Sequence, residues 1–93
     1  MNTQTNITLS DIRMMILCGY PLSTEEYGHF YYDGDEVTRS TEEAYVWYRI
    51  AQQAGNRSSV DSVVDCIGPT LTTFKCHRLS SRAEHIYSRA LQH

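Results

Sequence analysis

Disulfide chemistry is the first thing this sequence has little of. Its cysteines are Cys18, Cys66 and Cys76, an odd number with no Cys-x-x-Cys spacing. Such a set builds neither a disulfide framework nor a zinc ligand group. We expect reduced thiols in a cytoplasmic protein, at least two of them buried as small apolar groups. Long apolar runs are missing too. The longest, Met14 to Gly19, is far short of the roughly 20 residues that cross a bilayer, so no membrane partner is expected. The start, MNTQTNITLS, has no basic residues followed by an apolar stretch, so no secretory signal is expected. Alternating apolar and polar residues are also scarce, and no segment reads as a strand.

The residues of catalysis and metal binding are present but in the wrong pattern. His29, His77, His85 and His93 fall at no ligand spacing, and neighbours such as Cys76 and His77 diverge on a helix. Asp33-Gly34-Asp35-Glu36 lacks the alternate oxygen ligands of a calcium loop and reads as an acidic turn. Glu25, Glu26, Glu42 and Glu43 are adjacent pairs that do not converge on one point. No glycine-rich phosphate loop or nucleophile elbow occurs. The expectation is no catalytic residue, no metal and no cofactor.

What is present is helix punctuation. The tetrapeptide Ser-Thr-Glu-Glu occurs twice, at Ser23–Glu26 and Ser40–Glu43. A helix N-terminus leaves backbone N–H groups unpaired. A cap serine accepts from one, and a glutamate three residues on reaches back to the cap's own N–H. Both copies fit this box, and their acids suit the positive end of the helix dipole. Leu22 and Tyr27 stand where a hydrophobic staple would close the first copy. Ser81-Arg82-Ala83-Glu84 offers a third box.

Apolar spacing then gives the helices. The first spans about Leu9 to Cys18, capped by Thr8 with Asp11, and is apolar almost all round, so it should be central or covered by a partner. The second spans Thr24 to Asp33, with Tyr27, Phe30 and Tyr31 inward and Gly34 as its stop. The third spans Thr41 to Ala54, with Ala44, Trp47, Tyr48 and Ala51 inward. The fourth begins near Arg57 or Ser58, turns Val60, Val63, Val64 and Ile67 to one side, and breaks at Gly68-Pro69. Leu71 to Cys76 suggests a short helical turn, and the last helix spans Arg82 to Leu91. The expectation is an all-α single domain over residues 1–93 of about five helices, with a flexible start over 1–7.

Residues 23–56 carry a more specific pattern. Gly28, Phe30 and Tyr31 precede a loop with Gly34 and Val37; Ala44, Trp47, Tyr48 and Ala51 follow, and Gly55-Asn56 closes the stretch. This resembles one Sel1-like repeat, a relative of the tetratricopeptide helix pair. Ser23, Tyr27 and Glu36 depart from it, standing where the family has alanine, leucine and glycine. Residues 57–93 resemble a degenerate second unit with a closing helix. The resemblance implies stacked helical hairpins and scaffold or adaptor work without a cofactor. Independently of the name, Gly28 lets a neighbouring helix come close, and Ala44 and Ala51 do the same from the other side.

Charge is uneven, although the formal net charge is only −3. Glu25, Glu26, Asp33, Asp35, Glu36, Glu42 and Glu43 are opposed within their stretch by Arg39 alone, while Lys75, Arg78, Arg82 and Arg89 make the end basic. So few cations bind nucleic acid weakly at physiological salt. Tyr32 and Tyr45 lie off the inner stripes. With Glu25, His29, Asp33, Asp35, Glu36 and Glu42 they form the expected partner-binding surface, facing a protein of basic character. A small inhibitor of the phage type, such as an anti-CRISPR protein, or a toxin-immunity protein, fits the same features. The apolar first helix also suits a homodimer.

Overall fold

The computed structural model describes residues 7–20, 22–35, 37–55 and 57–92, so Pro21, Glu36, Asn56, His93 and nearly all of the expected flexible start lie outside the described residues. The chain is all-α. Its helices are α1 (Leu9–Cys18), α2 (Thr24–Asp33), α3 (Thr41–Gln53), α4 (Arg57–Ile67) and α5 (Thr73–Gln92), with a 3₁₀ turn over Gly68–Thr70 before the last. No strand occurs among the described residues.

Capping sets three of the starts. The Thr8 hydroxyl accepts from Asp11 N at 3.1 Å while Thr8 N donates to Asp11 Oδ2 at 3.1 Å. Ser23 and Glu26 close the same box on α2 at 3.1 and 2.9 Å. The second Ser-Thr-Glu-Glu is only half a box. Ser40 Oγ accepts from Glu43 N at 3.1 Å, but Ser40 N donates to the Tyr31 carbonyl at 2.9 Å and the Glu43 carboxylate turns to Arg82. Tyr31 satisfies the donor that the glutamate would have served, so α3 is tied to α2 at its cap residue, Ser40. Gly34 ends α2 at φ 75°, a left-handed cap where a side chain is disfavoured.

The third box starts no helix. Leu79, Ala83 and Ala90 are buried along one side of α5, and this apolar stripe runs through Ser80 and Ser81 without a break. Continuous packing outweighs a local capping signal. The helix begins instead at Thr73, after Thr72 Oγ1 accepts from Lys75 N at 3.1 Å. The short turn expected over Leu71 to Cys76 is thus absorbed, in its helical part, into the first turn of a 20-residue helix. Gly68 and Pro69 do end α4, as expected, in the 3₁₀ turn.

Packing centres on α3, which lies against α2, α4 and α5, while α1 rests on α5 and α2. Five consecutive α3 residues, Ala44 to Tyr48, are buried. A helix packed on three neighbours buries more than a single stripe. Val60, Val64 and Ile67 of α4, Leu79 and Ala83 of α5, and Ile12 and Met15 of α1 complete the core. α1 is therefore not central: Met14 and Leu17 stand 40% and 55% exposed on its outer side. Nor are two cysteines buried. Cys18 and Cys66 are exposed, and Cys76 is half-buried with its thiol donating to the Gly68 carbonyl. Cys18 is the last residue of α1, and Cys66 lies off the Val60–Val64–Ile67 stripe, so neither reaches the interior.

Candidate partner-binding surface

The surface starts from a seam between α2 and α3. Tyr48 is wholly buried, and its ring lies so close to Gly28 that an added Cβ there would stand 2.8 Å from Tyr48 Cε1. Beside it the ring of Trp47 meets Tyr27 nearly edge-on at 4.6 Å between centroids. Gly28, Ala44, Trp47, Tyr48 and Ala51 are buried, and Tyr31 is half-buried with its ring edge-on to Tyr27 at 5.5 Å. Passing over Gly28, the Tyr48 hydroxyl meets His29 Nδ1 at 2.6 Å, and His29 Nε2 faces Glu25 Oε2 at 3.5 Å. The arrangement that satisfies all three groups has Tyr48 O–H donating to Nδ1 and the imidazole proton on Nε2, toward the carboxylate. Burial pushes the Tyr48 phenol up to about 12, and the negative charge of Asp33 adds to it. His29 and Glu25 therefore serve the seam as well as the surface.

At the far end of α2 the side chains serve the outside. Tyr32 is half-buried, its ring 6.4 Å from that of Tyr48. The Arg39 guanidinium lies over the Tyr32 ring at 5.9 Å from the centroid, and Arg39 Nε donates to the Tyr32 carbonyl at 2.8 Å. That carbonyl belongs to the last turn of α2, where backbone acceptors lack helical partners and a cation is favoured by the dipole. Asp33 and Asp35 are exposed on either side of Gly34.

The acids at the start of α3 behave differently. Lys75 Nζ donates to Glu42 Oε2 at 2.8 Å, and Arg82 forms a two-pronged contact with Glu43 at 2.7 and 3.4 Å. The hydrogen bond from Lys75, with its charge, holds the Glu42 carboxyl below its ordinary value. The acidic middle and the basic end of the sequence thus meet across α3 and α5 rather than forming separate faces. On α5 Arg78 stands over the exposed ring of Phe74 at 6.0 Å.

Two site expectations change. Tyr45 is 5% exposed, because α3 has neighbours on the side that its own sequence leaves free, so it belongs to the core and not to a docking surface. Glu42 is half-exposed but engaged by Lys75, so it is no free member of an acidic belt. Glu36 lies outside the described residues. Tyr32, Asp33 and Asp35 follow closely along the chain at the end of α2, with His29 and Glu25 one and two turns back along the helix. Sequence reasoning missed Arg39, Lys75 and Arg82 as partners of these residues. Arg39 had a signal, as the one arginine or lysine in the acidic stretch. Lys75 and Arg82 had none, since their acids lie 33 and 39 residues away.

Among the described residues no group of histidine, cysteine and carboxylate side chains is placed to hold a metal, and no helix is long and apolar enough to cross a membrane. Comparison of the chain with family models, with curated proteins and with solved structures finds no match.

Proposed function

We propose that this chain is a non-catalytic protein-binding module, working without a cofactor, that recognises a basic surface on another protein. Glu25, His29, Tyr32, Asp33 and Asp35 form the recognising face. The observation that carries this reading is the division of the acids. Glu42 and Glu43 are engaged by Lys75 and Arg82 of the same chain, while Asp33 and Asp35 stand exposed beside a half-exposed tyrosine. Acids in that position steer association and set orientation more than they add affinity, and a tyrosine supplies contact area at low entropic cost.

The Sel1-like reading of residues 23–56, with its stacked hairpins, is part of the proposal. It is supported by the closeness of Tyr48 to Gly28 and by the burial of Ala44 and Ala51. A reducing compartment, the cytoplasm, suits three free cysteines of which two are exposed. A contact between two copies through α1 is favoured by the exposure of Met14 and Leu17.

The test is a pull-down from the native host with the wild-type chain and with the Glu25→Lys, Asp33→Lys, Asp35→Lys triple variant. Proteins held by the wild type at low salt should be released at high salt and should not be held by the variant. Equal retention by the variant, at both salt concentrations, rejects recognition through this face.

A further inference from the structure

We infer that Arg39 is an intramolecular plug, its guanidinium occupying the place on Tyr32 that an arginine side chain of the partner takes on binding. The inference rests on the reading of the α2 tip as the partner-binding face, and it names the group recognised there. Two contacts define the place: the aromatic ring at 5.9 Å and the Tyr32 carbonyl that accepts from Arg39 Nε at 2.8 Å. Together they select a planar cation that can stack and donate through its edge. A guanidinium does both, whereas the ammonium of a lysine is a point charge that does not stack.

The occupant is also placed to leave. Arg39 is exposed and sits on the connection between α2 and α3, not within a helix, so moving its side chain unmakes no helical turn. It is the one lysine or arginine among the acids between Ser23 and Glu43. Neither contact needs burial, so the plug is weak and a second guanidinium displaces it at small cost. The same contacts that hold Arg39 would then hold the partner's arginine, with Asp33 and Asp35 beside it.

The test measures binding of fluorescent oligo-arginine and oligo-lysine peptides of equal length by anisotropy. Four proteins are compared: wild type, Arg39→Gln, Arg13→Gln and the Arg39→Gln, Tyr32→Leu double variant. Arg13 is exposed on α1, so its loss changes net charge equally at another place. Arg39→Gln should bind oligo-arginine at least about threefold tighter than wild type, the scale of an exposed cation–π contact. Its gain on oligo-lysine should be smaller, and Tyr32→Leu should remove the gain. Circular dichroism checks that each variant is folded. If Arg39→Gln is not stably folded, Arg39→Lys carries the same prediction with a smaller gain.

A gain of equal size in Arg13→Gln, or none in Arg39→Gln, overturns the plug. Where the wild type still binds the peptides in a salt-dependent way, the acidic-face reading survives that result. If neither the wild type nor Arg39→Gln binds either peptide at low salt, both fall together.

Discussion

A methyl group at residue 28 has nowhere to go. It would meet Tyr48 Cε1 at 2.8 Å and Cδ1 at 2.9 Å, and that ring is buried with its hydroxyl held by His29. Two effects oppose each other in Gly28→Ala. Alanine favours a helix by about 1 kcal/mol over glycine. Forcing extra volume into a packed contact costs about 1–3 kcal/mol. The second should win because a rigid ring pinned at its far end does not give way as a flexible chain would. Gly28→Ala is expected to lower stability by roughly 1 kcal/mol in urea denaturation. In a Tyr48→Leu background the same change should be neutral or stabilising. A stabilised Gly28→Ala in the otherwise wild-type chain would show that α2 and α3 do not approach through this residue.

Among the elements, two look-alike serine boxes separate cleanly by context. Ser23 caps α2 and accepts from Glu26 N, whereas Ser81 lies inside α5, where the backbone is already paired. Removing a cap typically costs about 1 kcal/mol, while replacing an exposed mid-helix serine by alanine favours the helix by a few tenths. Ser23→Ala should therefore lower the midpoint of thermal unfolding and Ser81→Ala should leave it unchanged or raise it. A clear loss in Ser81→Ala would mean that a helix begins there after all. The same comparison explains why α5 is long. Leu79 and Ala83, four residues apart, lie on one buried stripe that the serines do not interrupt. The pairs Lys75–Glu42 and Arg82–Glu43 decorate this interface from its exposed rim, where solvent and salt screen ion pairs and they add little to stability.

Across the whole molecule, stability should depend on pH most plainly on the alkaline side. Tyr31 and Tyr48 are both pushed from the ordinary 10.0 up to about 12, chiefly by burial. The folded chain keeps phenolic protons that the unfolded chain releases, so unfolding is favoured by rising pH. Their contribution is complete below the unfolded value of 10.0 and is lost progressively as pH rises toward about 12. The slope reaches at most about 1.4 kcal/mol per pH unit for each group, less for half-buried Tyr31. Urea midpoints measured at about pH 9 and about pH 11 should fall further in the wild type than in Tyr48→Phe. Equal falls in the two proteins would mean that Tyr48 is not buried against α2.

Local signals by themselves determined the all-α class, three capped helix starts, the Gly34 stop, the Gly68-Pro69 break and the packing residues Trp47, Tyr48, Ala44 and Ala51. These depend on spacing along one chain, and helix periodicity carries that information. Tertiary structure alone decided which helix is surrounded, and hence that Tyr45 is buried while Met14 and Leu17 are exposed. It also decided that Glu43 serves Arg82 instead of its own cap, and that the acidic and basic stretches neutralise each other in part. The reason is physical: burial and long-range charge pairing depend on which surfaces meet, and residues 33 or 39 positions apart carry no mark of each other until the chain has folded.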